Sequence, residues 1–145
     1  MLEVFPAWWV RPAEKGVMQR MGNQAESSFK VCSMCKTVWH QRNDFLADPT
    51  IRAIGYMANF QNLELGLFFF NHETAMCRTT LVIDAYHFTD LSEGPTHTQR
   101  LTGTADCPSF CLHKDEMRPC PAECECGYVR EVLHKVTRWK KAGTA

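Results

Sequence analysis

The residues of this chain with the most chemistry to offer are its eight cysteines: Cys32, Cys35, Cys77, Cys107, Cys111, Cys120, Cys124 and Cys126. Cys32-Ser-Met-Cys35 is a Cys-x2-Cys turn. That spacing points both thiolates at one ion, and backbone N–H groups in the turn can stabilise the sulfur charge. Such a pair supplies half of a tetrahedral shell. His72-Glu-Thr-Ala-Met-Cys77 has the form to supply the other half, because His72 and Cys77 would leave neighbouring strand ends at one hairpin tip. Three cysteines with one histidine is a standard structural zinc set. Cys32, Cys35, His72 and Cys77 are therefore the expected first site, with His40 and His87 as competitors for the histidine position. A redox dithiol is the alternative, but a thioredoxin-like pair opens a helix. Here Lys36-Thr-Val-Trp39 favours a strand. Cys77 also has a plainer reading as a buried apolar residue.

Cys107-Pro-Ser-Phe-Cys111 and Cys120-Pro-Ala-Glu-Cys124 are two Cys-x3-Cys pairs. On helical turns, positions i and i+4 share a face, and proline after the leading cysteine suits a helix start. The expectation is that Cys107, Cys111, Cys120 and Cys124 converge on a second ion, with Asp106 capping the first turn and Cys126 and His113 as further candidates. Zinc, an iron–sulfur cluster and a pair of disulfides all remain open for this stretch; its spacing matches no common ferredoxin run. The paired pattern resembles that of the small mitochondrial translocase chaperones, over residues 107–126 only. That resemblance implies a disulfide-linked helical hairpin. It departs in the short, proline-bearing connection and in the lack of long flanking helices on both sides.

The elements that must position these groups follow from pattern. Leu65–Phe70 and Thr79–Ile83 read as two strands of a hairpin, and Tyr86–Phe88 as a third strand. Asp48-Pro49 reads as the start of a short helix. Val129, Val132, Leu133, Val136 and Trp139 form one apolar helical stripe, supported by Glu131 and Lys135 four residues apart and ending before Gly143. Arg130, His134, Arg138 and Lys141 are expected on the opposite, solvated face. The fold class is then α+β: a small antiparallel sheet with a zinc-knuckle-like site, a cysteine-rich segment and a C-terminal amphipathic helix. Residues 1–28 are expected to be a mobile leader, with Phe5, Trp8 and Trp9 able to dock on the core. Residues 29–145 are expected to be one metal-stabilised domain, β-rich over 29–91, a loop over 92–105, and the cysteine-rich segment and helix over 106–145.

Composition narrows the function. The chain has 145 residues and no formal net charge, so no global field draws in nucleic acid or anionic lipid. The opening residues lack a signal-peptide pattern and no run has the length of a membrane span, which points to the reducing cytoplasm. No phosphate-binding glycine loop, dinucleotide fingerprint or His-Glu-x2-His motif is present. A fully protein-ligated ion keeps no position for water or substrate, which leans away from an enzyme. The expected function is a zinc-binding accessory or regulatory module holding one or two ions and engaging a protein partner. The alternatives are a redox protein with a dithiol or iron–sulfur cluster, and nucleic-acid binding through the basic face of the terminal helix.

Overall fold

The structure, a computed structural model, describes residues 27–143; the leader and its aromatic cluster lie outside the described residues, apart from Ser27 and Ser28. The chain opens with a small antiparallel ribbon of β1 (Lys30–Val31) and β2 (Val38–Trp39), followed by the short helix α1 (Arg42–Ala47). A three-stranded antiparallel sheet comes next, built from β3 (Ile51–Met57), β4 (Leu67–Glu73) and β5 (Arg78–Asp84) in that spatial order. After a long loop region, the chain ends in α2 (Gly127–Thr137). This is the α+β architecture that the pattern predicts.

The period-two rule explains the sheet. In β4, Phe68, Phe70 and His72 point inward while their neighbours are less buried, and in β5 Leu81 and Ile83 do the same. The buried rings of Phe45, Phe68, Phe70 and Phe88 pack against one another, with centroids 5.0 Å apart for Phe45 and Phe70 and 5.3 Å apart for Phe68 and Phe88. Each such pair adds about 0.5–1.5 kcal/mol beyond simple burial. Helix α2 lays Val129, Val132, Leu133 and Val136 against the core and packs on β3 and the turn Thr89–Leu91. Each of these side chains stabilises the fold by about 1.5–3 kcal/mol through burial. The Glu131–Lys135 pair forms, at 3.3 Å.

Several expectations are corrected. Asp48 does not start a helix; it ends α1, and its carboxylate accepts from the Thr50 amide and hydroxyl and the Trp39 indole. The strand β3 continues through Gly55, with a bulge between Ala53 and Gly55. Tyr86–Phe88 is not a strand: Ala85–His87 is a 3₁₀ turn. Helix α2 stops at Thr137, short of Gly143. Arg130 is not on a solvated face but wholly buried, and the Lys141 ammonium caps α1 by donating to the Leu46 carbonyl at 2.7 Å.

Gly55 permits a close approach. A Cβ there would lie 2.9 Å from the Lys114 carbonyl oxygen, which accepts the Tyr56 amide at 2.9 Å. The loop carrying Cys111 is thereby strapped across β3, and the Lys114 ammonium sits 4.2 Å from the centre of the Phe69 ring. Among the described residues, no helix is long and apolar enough to cross a membrane.

Candidate metal centre

The β1–β2 ribbon builds the first half of the site. Cys32 donates its amide to the Thr37 carbonyl at 2.8 Å, and Lys36 donates back to the Cys32 carbonyl at 2.9 Å. The turn closes through Lys36 in the left-handed region, φ 66°. This tight knuckle places Cys32 inside and leaves Cys35 on the outer rim.

The β4–β5 hairpin builds the second half. His72 is the third inward position of β4 after Phe68 and Phe70, so the alternation that makes the core also aims the imidazole at the knuckle. Trp39 packs edge-on against its ring at 5.1 Å. Cys77 immediately precedes β5, and the Thr74 amide bonds its carbonyl to close the hairpin tip. Cys77 and His72 are both buried.

The four donors converge. Cys32 Sγ lies 3.7 Å from Cys77 Sγ, and Cys35 Sγ lies 3.7 Å from His72 Nδ1. All four ligand atoms are within 4.8 Å of one another. An ion with metal–sulfur bonds of about 2.3 Å in tetrahedral geometry sets its sulfurs about 3.8 Å apart. The spacing therefore fits a single metal ion held by three thiolates and one imidazole. Hydrogen bonds from the Thr37 hydroxyl and amide bring the Cys35 thiol down to about 7, against the opposing pull of its partial desolvation. Burial, and then the neighbouring Cys32 and Cys35, push the Cys77 thiol up to about 11. Three thiolates this close repel one another, and a bound cation removes that penalty.

His40 is exposed, and His87 packs against Tyr86; the imidazole that joins the three thiols is that of His72. No family model matches this chain, and no curated protein or solved structure is significantly similar to it.

The second cysteine group is arranged differently. Neither Cys-x3-Cys pair lies on an α-helical turn; the first runs into the 3₁₀ turn Phe110–Leu112, with Ser109 at φ 65°. Cys111 Sγ lies 3.2 Å from Cys126 Sγ, which lies 3.4 Å from Cys124 Sγ. All three are buried, whereas Cys107 and Cys120 are half-buried. His113 is exposed. Cys126, outside the four residues read as the second set, is thus the sulfur that touches the other two. Cys124 and Cys126, two apart, cannot share a helix face, so either the helix begins after both or one of them is not a ligand; α2 begins at Gly127, directly after Cys126.

Proposed function

We propose that this chain is a zinc protein in which Cys32, Cys35, His72 and Cys77 hold one structural ion, and that it serves as a binding or accessory module. The observation that carries the reading is the convergence of four donors from two separate turns within 4.8 Å. Thiolate with imidazole in a tetrahedral set favours zinc among divalent ions. Protein supplies all four ligands, which is the arrangement of a structural rather than a catalytic ion. The same two turns carry exposed apolar side chains, Met34 at 68% and Met76 at 93% exposure, flanked by Val31 and Val38 on the ribbon. Flexible, polarizable methionines at the rim of a rigid knuckle suit a protein-binding surface. A reducing compartment such as the cytoplasm suits thiolate ligands.

The redox alternative rests on Cys35, exposed and with its thiol near neutrality. The nucleic-acid reading loses two of its four residues, since Arg130 is buried and Lys141 is engaged at α1.

Elemental analysis of protein purified without added metal tests the proposal. Zinc is expected, and Cys32→Ser and His72→Ala are each expected to lose one ion per chain. Unchanged metal content with unchanged thermal stability in both variants would refute the assignment. Reversible loss of thiols without metal would favour the redox reading.

A further inference from the structure

Arg130 is a charged side chain on α2 with no exposed surface. One guanidinium nitrogen donates to the Arg118 carbonyl at 2.5 Å, while Nε and Nη1 are buried without a hydrogen-bond partner. The group lies over the rings of Phe110 and Tyr56. Glu116 feels its charge, but that carboxylate is engaged by Arg118 at 2.7 Å. A buried cation without a counter-charge is strongly unfavourable. The cysteine cluster is placed to supply negative charge: Arg130 is bonded to the Arg118 carbonyl two residues before Cys120, and lies over the Phe110 ring, which precedes Cys111 in the chain.

Backbone amides donate to two of the cluster's sulfurs: Leu101 to Cys124 at 3.2 Å and Ser109 to Cys107 at 3.3 Å. Cys111, Cys126 and Cys124 are in sulfur–sulfur contact in a buried site. A single disulfide would use only two of these three sulfurs. One cation answers both needs, because it permits several adjacent thiolates, and a divalent ion with four of them carries two net negative charges for Arg130 to offset.

We propose that Cys111, Cys124 and Cys126, with Cys120 as the fourth ligand, form a second, thiolate-only centre for a divalent ion of the zinc class, with Arg130 as its buried counter-charge. Cys120 is assigned over Cys107 because Arg130 is bonded to the Arg118 carbonyl, two residues before Cys120 in the chain. These sulfurs do not form a mutually close set like the first group. Loading therefore draws Cys120 and Cys124, both on the stretch leading into α2, toward Cys111. The assignment is independent of the Cys32 site.

The test uses the full chain, with zinc content measured alongside a thiol count on denatured, unreduced protein. Wild type is expected to hold two ions per chain, with all eight thiols titrating. The Cys32→Ser chain should retain one ion, and cobalt substituted into it should give the spectrum of an all-sulfur tetrahedron. Cys126→Ser should lose one ion and keep the other; if that variant fails to fold, Cys120→Ser and Cys107→Ser decide, the first losing an ion and the second not. Arg130→Met should weaken the second ion about 10- to 100-fold in chelator competition, the usual effect of losing a supporting outer group. Arg130→Lys should recover part of that loss. The proposal is overturned by a thiol count short by a disulfide pair, by iron with visible absorption, or by a metal-free Cys32→Ser chain that remains folded. Loss of the ion in Cys107→Ser but not in Cys120→Ser would overturn the ligand set.

Discussion

The two cysteine regions of this protein differ in what holds their sulfurs. In the first, donors are fixed by strand register and hairpin turns: His72 pairs with Thr79 across the sheet, and Cys32 sits at the mouth of a ribbon closed by its own backbone bonds. In the second, Cys111 lies in a 3₁₀ turn and the other sulfurs ride on irregular chain before α2. The first set is compact enough for an ion, while the second is a row centred on Cys126. Regular backbone preorganises ligands before the metal arrives, and irregular backbone leaves part of that ordering to the metal. An ion bound at the proposed second centre would accordingly do more structural work per ligand, and one bound at the first would do more for overall stability, because it would join two elements of the core.

The largest effect that breaks the comparison is removal of the first ion. Structural zinc contributes on the order of 10 kcal/mol to folding, so Cys32→Ser or exhaustive chelation should melt the ribbon and the β4–β5 tip. Circular dichroism melts paired with metal analysis check this. A Leu133→Ala change should cost about 2–5 kcal/mol. It should loosen α2, and so raise amide exchange at residues 119–126 more than at the knuckle. Loss of protection at both regions alike would erase the distinction.

Acid should act next. The Glu131 carboxyl is held below the usual carboxylate range, first by the Glu93 amide and also by the Ser92 hydroxyl and the Gly94 amide, against the effect of burial. Asp48 is held low as well, because donors from Thr50 and Trp39 outweigh its burial. A lowered carboxylate contributes stability above its unfolded value of about 4, and that stability disappears as pH falls through the folded value. The melting temperature should therefore drop as pH falls through and below the ordinary carboxylate range. Glu131→Gln should flatten that slope and cost about 1.5–3 kcal/mol near neutral pH, the scale of hydrogen bonds to a charged group. The smallest effect belongs to Lys36→Gly. It relieves a left-handed residue in the knuckle but loses the Lys36 ammonium bond to the Ser33 carbonyl, so stability should shift by less than about 1 kcal/mol. A large loss of metal in that variant would mean that the lysine does more than close the turn.

The contrast between regions also explains what the sequence made legible. The Cys-x2-Cys knuckle, the hairpin and the apolar stripe of α2 are local patterns with fixed periods, and each appears where expected. Strand β3 was hidden because Pro49 and Gly55 resemble a helix start and stop. In the fold, Asp48 closes α1, and Gly55 admits a neighbouring loop. Arg130 fell on the polar side of a helical wheel, yet tertiary packing roofs that side with Phe110 and Tyr56. Which cysteine stands at the centre of the second group depends on how irregular loops cross, and spacing alone does not encode that.

The strap at Lys114, together with the grip of the Glu131 carboxylate on Ser92, Glu93 and Gly94, bears on how the chain comes apart. A protease nick in the loop around residues 95–105 would leave two peptides still clasped, one contributing the sheet and the other the terminal helix. Such a nicked protein should travel as one species in native separation and divide only under denaturant, so a clean cut there is no evidence of two autonomous pieces.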